Sequence, residues 1–275
     1  LLDLLENFIL FDQSKPGSTR KVVGRNHQVL GVNQAVASVV KQEELKRKFP
    51  PGERMVRRLA ERVPHKKVAE GPPSGDGLYA LAERKRELEK EGEAFLELVE
   101  PVHPEPGKLG VFWQTQGSGK SYSMVFFAEK VRRRISKKYT FVFMTDRKDL
   151  DDQIYSTFVG CGAAPEGTPR ATSGDELERL LKGNSPYVFS LIHKFNKNVE
   201  PRHPYSERDD IIIVSDEAHR TQSGKLAINM RVALPNASFL GFTGTPLFRY
   251  DEITKRIFGD YVSRYDFKRS EQDGA

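Results

Sequence analysis

Short apolar runs separated by polar loops dominate the second half of the chain. Val111–Trp113, Thr140–Met144, Tyr187–Phe189, Ile211–Val214 and Ser238–Phe242 are uninterrupted or nearly so, with helical or loop segments between them. A strand covered on both faces reads as a continuous apolar run, so the pattern predicts a parallel sheet with helices on either side. After the first run, Met124, Ala128, Val131 and Ile135 recur at helical spacing and predict a helix from about Lys120 to Ser136. Arg132, Arg133, Arg134, Lys137 and Lys138 crowd its end, which complements the helix dipole and needs no ligand.

The first half is patterned differently. Residues 1–12 predict a short amphipathic helix, and a turn follows at Ser14–Ser18. Residues 21–28 then lead into an apolar-rich helical segment through Val40, with Asn26 or His27 near its start and Gln28 in its first turn. A glutamine amide at such a place can bond the edge of an adenine ring, and it can equally be an ordinary solvent-facing residue. Residues 41–108 read as an accessory, mostly helical insertion. They contain a basic stretch, with ten Lys/Arg against five Glu over 41–70, and a Gly/Pro loop over 69–77. A charged helical pattern follows over Leu78–Val99, before Pro101, Pro104 and Pro106 forbid a regular element. The insertion can serve as a DNA surface, a subunit contact or a spacer. The predicted division is therefore a helical lead-in over 1–40, the insertion over 41–108 and the sheet domain over 109–275.

Composition narrows the class. The 275 residues carry a formal net charge of +6 and a pI near 9.2, which mildly favours a polyanionic partner. Cys161 is the one cysteine, so a disulfide framework and a cysteine-rich zinc site are excluded, and no basic neighbour activates its thiol. No apolar run reaches membrane-spanning length, and the N-terminus lacks the basic leader of a signal peptide. An intracellular compartment fits. The chain starts with Leu and reads as a piece of something longer.

The chemistry lies at the ends of the predicted strands. Trp113-Gln-Thr-Gln-Gly-Ser-Gly-Lys-Ser121 joins the first run to the first helix. Strand, glycine turn, lysine, hydroxyl and helix make a phosphate cradle. The turn's backbone N–H groups point inward, Lys120 reaches the β/γ-phosphates and Ser121 can hold magnesium. Gln114 stands where the strict pattern G-x-x-x-x-G-K-[ST] has glycine. Ile211–Val214 delivers Asp216 and Glu217, followed by His219 and Arg220. Adjacent carboxylates at a buried strand end call for a cation, and with a phosphate cradle in the same sheet Asp216 is placed to share magnesium with Ser121. Glu217 then orients the water that attacks the γ-phosphate, and His219 and Arg220 sense phosphate state. Thr243 and Thr245 flank Gly244 after the last run and can link that chemistry to movement. The polar burst Thr145–Gln153, with Arg147 and Lys148, is a candidate DNA-backbone or hinge site, because ligands bind at strand C-terminal ends.

Together these stretches resemble the first RecA-like motor domain of superfamily 2 helicases and translocases, a P-loop NTPase fold. Residues 115–121 match motif I, Asp216-Glu-Ala-His219 motif II and Thr243-Gly-Thr245 motif III. More narrowly, the chain resembles the restriction (HsdR) subunit of type I restriction–modification systems through Leu1–Ile9, His27-Gln28, Asp146-Arg-Lys-Asp-Leu150 and Gly241–Leu247. The resemblance covers residues 1–40 and 109–275 and is poor over about 41–108. It implies ATP and Mg²⁺ as cofactors, with Gln28, Gln116, Gly117, Ser118, Gly119, Lys120 and Ser121 at the nucleotide, Ser121 and Asp216 at the metal, and Glu217 at the water. It implies duplex DNA, the modification and specificity subunits, a nuclease domain and a second motor domain as partners, in a prokaryotic cytoplasm and away from membranes. The expected activity is ATP-driven translocation along DNA before cleavage. The isolated piece, lacking the second motor domain, is expected to turn over ATP poorly. A helicase-like repair or remodelling ATPase, or a DNA-binding module with a vestigial nucleotide site, are the alternatives.

Overall fold

The structure, a computed structural model, describes residues 1–15, 17–59, 97–101, 103, 105–115, 117–195, 199, 203–216, 224–244 and 251–265. Its centre is a six-stranded parallel sheet in the order β10-β5-β9-β8-β6-β7. These strands are β5 (Lys108–Gln114), β6 (Thr140–Thr145), β7 (Tyr187–Leu191), β8 (Ile211–Ser215), β9 (Ser238–Thr243) and β10 (Tyr261–Tyr265). Each predicted apolar run falls within one of the first five. β10 was not anticipated, because Tyr261-Val-Ser-Arg-Tyr265 mixes polar and apolar residues, as an edge strand with partly open faces does.

Helices cover both faces, which is why the central strands are apolar throughout. On one face lie α2 (Asn26–Lys48), α3 (Lys120–Arg134) and α4 (Lys148–Gly160), packing Val32, Val36, Met124, Phe127 and Phe158 onto Phe112, Phe143 and Phe242. On the other lie α5 (Gly174–Lys182), α6 (Gly224–Ala233) and α7 (Asp251–Phe258), packing Leu177, Met230 and Phe258 onto Val142, Ile213 and Phe239. Such three-layer α/β packing buries the central strands β6, β8 and β9 completely. Phe112 and Phe242 stack across neighbouring strands with ring centroids 4.9 Å apart. α2 approaches this pair closely at Gly31, where a Cβ would meet Phe112 Cζ at 2.2 Å.

The N-terminal segment differs from its prediction. The helix α1 (Leu2–Asn7) is followed by β1 (Ile9–Asp12), which pairs antiparallel with β2 (Arg20–Val23). Leu10 and Asp12 face inward while Phe11 is exposed, the alternation of a strand rather than a helix. α1 is tied to α3 through Lys130, whose ammonium meets Asp3 at 2.5 Å and Asn33 at 2.6 Å.

α2 continues past Val40 to Lys48 because its last turns have tertiary partners. Gln42 is buried, donates to the carbonyls of Glu105 and Lys108 at 3.1 and 3.0 Å, and accepts from the Gly107 N–H at 2.8 Å. Within 41–108 the chain also forms β3 (Met55–Leu59) and β4 (Glu97–Pro101), an antiparallel pair. The helix predicted over Leu78–Val99 therefore gives way to strand at residues 97–99, and 78–96 lie outside the described residues. Among the described residues no helix is long and apolar enough to cross a membrane.

Candidate nucleotide site

Strand order brings the motifs together. β9 lies between β5 and β8, so the C-terminal ends of these three strands are neighbours. Trp113 pairs in register with Thr243, and Ser215 with Gly241. The loop after β5, the carboxylate after β8 and the threonine ending β9 thus share one rim of the sheet.

The loop after β5 turns through left-handed backbone at Gly117 (φ 81°) and Gly119 (φ 84°), which L side chains rarely adopt. Ser118 caps the turn inward, its hydroxyl donating to the Thr115 carbonyl at 2.6 Å. Lys120 and Ser121 then open α3, where the backbone N–H groups have no helical acceptor and favour an anion. The Lys120 ammonium lies 3.2 Å from the Asp216 carboxylate, and both are largely buried. Asp216 is fixed by its own backbone, whose N–H donates to the Met144 carbonyl at 2.8 Å and extends the ladder between β8 and β6. Thr243 is fully buried.

Several polar atoms on this rim are buried without a hydrogen-bond partner among the described residues. They are both amide atoms of Gln114, the Thr115 and Ser215 hydroxyls and one oxygen of Asp146, at the ends of β5, β8 and β6. Buried polar groups are nearly always bonded, so a cluster of orphans marks a place built for polar occupants. The donor set, a hydroxyl at Ser121 and a carboxylate at Asp216 beside a glycine-turned loop that opens a helix, is all oxygen and suits Mg²⁺, which takes one or two carboxylates plus phosphates. The residues present therefore fit a magnesium nucleotide.

Gln28 sits against the loop after β5 rather than in open solvent. Its Nε2 donates to the Gly119 carbonyl at 3.0 Å and the Ser123 hydroxyl at 3.1 Å, and its Oε1 accepts from the Arg25 N–H at 2.9 Å. His27, which pattern alone marked only as a helix start, reaches the Ser118 carbonyl at 3.2 Å. Gln116, Glu217, His219, Arg220 and Thr245 lie outside the described residues.

The segment after β6 divides in two. Arg147 and Lys148 are exposed at the strand's C-terminal end, Arg147 lying 3.7 Å from Asp149. Asp151 is buried, which raises its pKa, and it is held by Arg170 at 3.1 Å. Its role is thus to anchor the 160–175 loop. Cys161 is half-buried, and burial pushes its thiol up to about 12, in keeping with an unactivated cysteine.

Residues 91–275 match the SWI2/SNF2 ATPase family. The chain belongs to this family. It is 35% identical over 293 residues to the Type I restriction enzyme HindI endonuclease subunit of Haemophilus influenzae, an alignment covering 100% of this chain and 22% of that protein. A putative type I restriction enzyme MjaIXP endonuclease subunit of Methanocaldococcus jannaschii is 41% identical over 175 residues, 62% of this chain and 16% of that protein. The ATP-dependent Type ISP restriction-modification enzyme LlaBIII bound to DNA has a TM-score of 0.49 at 13% identity, covering 100% of this chain and 17% of its own. The chain thus spans about a fifth of the length of the curated relatives it matches, and over that stretch it is an ATP-binding motor domain of the SWI2/SNF2 family, similar to part of those type I restriction endonuclease subunits.

Proposed function

We propose that this chain is the ATP-hydrolysing first half of a motor that moves duplex DNA through a type I restriction complex, ahead of cleavage by a nuclease domain of the same full-length subunit. The observation that carries the reading is the Lys120–Asp216 contact beside a glycine-turned loop at a helix start. A cationic residue for phosphate and a carboxylate for metal then belong to one site, although they follow different strands.

In this reading the loop over 116–121 wraps the phosphates, with Lys120 at the β/γ-phosphates and Ser121 and Asp216 as the magnesium ligands. When bound, magnesium offsets the negative charge that gathers on the transferred phosphate. Glu217 orients the attacking water. His219, Arg220, Thr243 and Thr245 relay phosphate state to the rest of the subunit, and Gln28 lies at the adenine side of the cleft. Arg147 and Lys148 face the DNA backbone. The division into a 1–40 lead-in, a 41–108 insertion and a 109–275 motor belongs to the same proposal, as do a second motor domain that completes the cleft, modification and specificity subunits, and the cytoplasm of a prokaryote. The relatives named above, endonuclease subunits from a bacterium and an archaeon, support it.

The test is ATP turnover by the full-length subunit with and without duplex DNA. DNA-stimulated turnover that disappears in Lys120→Ala is expected. Stimulated turnover that survives this substitution overturns the assignment.

A further inference from the structure

The loop between β5 and α3 is held from outside by two consecutive residues of α2. We propose that His27 is a positioning residue for this loop, acting with Gln28 to aim its backbone N–H groups at bound phosphate. The inference rests on the nucleotide reading given above.

In a planar trans peptide the C=O and the following N–H point in opposite directions. The Ser118 carbonyl shares a peptide unit with the Gly119 N–H, and the Gly119 carbonyl shares one with the Lys120 N–H. His27 Nε2 lies 3.2 Å from the first carbonyl, and Gln28 Nε2 donates to the second at 3.0 Å. A carbonyl only accepts, so the ring nitrogen facing it carries the proton. Drawing two successive carbonyls toward α2 turns two successive N–H groups away from it, into the concave side of the loop. Gly119, at φ 84°, is the residue whose freedom most needs this restraint. The Gly119 carbonyl also accepts from Ser123 N at 3.1 Å, so the restraint continues into the first turn of α3.

The two side chains are themselves immobilised. They are 8% and 3% exposed. Gln28 Oε1 accepts from the Arg25 N–H at 2.9 Å. The His27 ring stacks on Tyr265 with centroids 3.7 Å apart and planes 15° from parallel. Tyr265 ends β10 and pairs in register with Gln114, the last residue of β5 before the loop. A donor fixed by the strand that borders the loop is a support with a defined direction, not an incidental contact.

The experiment compares nucleotide affinities of the full-length subunit for ATP, ADP and GTP, together with thermal midpoints. His27→Phe keeps an aromatic ring against Tyr265 and removes the donor. His27→Gln returns a donor at the reach of Nε2. The expected result is a common loss of about tenfold for all three nucleotides in His27→Phe, the scale of one hydrogen bond, with most of it recovered in His27→Gln. Wild-type affinity in His27→Phe overturns the proposal. So does a loss that tracks the thermal midpoint and is no smaller in His27→Gln, because that is a purely structural role. A change confined to the ATP-to-GTP ratio also overturns it, by placing His27 at the base. Lys120→Ala is measured in parallel. If it binds ATP as wild type does, the nucleotide reading itself fails, an outcome distinct from failure of the His27 proposal.

Discussion

Lys120 Nζ and Asp216 Oδ1 stand 3.2 Å apart, joined across the width of β9. Each is the other's charged neighbour in a largely dry place, and a magnesium nucleotide would separate their duties, the ammonium turning to phosphate and the carboxylate to metal. Removing one member of a buried pair takes that compensation away from the other. Lys120→Ala is therefore expected to lower the stability of the domain by about 3 kcal/mol. Asp216→Asn, which keeps the shape, should reduce magnesium-dependent turnover by about a hundredfold. Denaturant unfolding checks the first and steady-state ATPase assays the second. A double variant that loses less stability than the two single losses combined would measure their coupling.

Gln114 makes the opposite prediction. Its amide is fully buried and both of its polar atoms lack partners among the described residues. An unbonded buried polar group costs about 1–3 kcal/mol, and an apolar side chain of similar shape avoids that cost. Gln114→Met should therefore raise the stability of the nucleotide-free protein by about 1 kcal/mol. It should also shrink the extra stability that ATP confers, if the amide is kept for the bound state. Thermal melts with and without ATP and magnesium read both effects. A melt lowered equally under both conditions would show that the amide serves packing alone.

The unevenness of what could be read in advance has physical causes. The central strands announce themselves because burial on both faces forces continuous apolar runs, as in Ile211–Val214 and Ser238–Phe242. Lys120 and Asp216 stand out in the sequence only together, since a lysine after a glycine turn can belong to an ordinary turn and a carboxylate after a buried strand to an ordinary salt bridge. That they touch depends on β9 lying between their strands, which no local pattern encodes. Ile9–Asp12 was misread because four residues are too few to separate strand from helix periodicity. His27 escaped for a different reason, since its value comes from a carbonyl on α3's approach and a ring on β10, both distant in sequence.

Gly31 decides how closely α2 can lie on the sheet. In a helix interior Ala is ordinarily better than Gly by about 1 kcal/mol. Here a Cβ would meet Phe112 Cζ at 2.2 Å and Ser263 Oγ at 2.7 Å, and Phe112 is pinned by its stack on Phe242. Overpacking of this kind costs about 1–3 kcal/mol, so the steric effect outweighs propensity. Gly31→Ala should destabilise the domain in urea. It should also weaken ATP binding, because α2 carries His27 and Gln28 to the loop. A stabilised Gly31→Ala variant would mean that α2 can lift off Phe112 without loss.

Cys161 supplies a check on burial that is independent of nucleotide. Desolvation is the main cause that raises its thiol to about 12 from 9.0, with the nearby Asp12 carboxylate adding to it. The thiolate is the reactive form, and a raised pKa means that the folded protein keeps the proton at neutral pH. At pH 8 the thiolate population should then be about a thousandfold below that of an unperturbed cysteine, so maleimide or disulfide-exchange labelling should be correspondingly slow. Labelling should accelerate as pH rises toward 12, and it should reach the ordinary rate at pH 8 once the chain is unfolded in guanidinium. Rapid labelling of the native protein at pH 8 would place Cys161 in a more open setting than the packing between α4 and the β1–β2 pair provides.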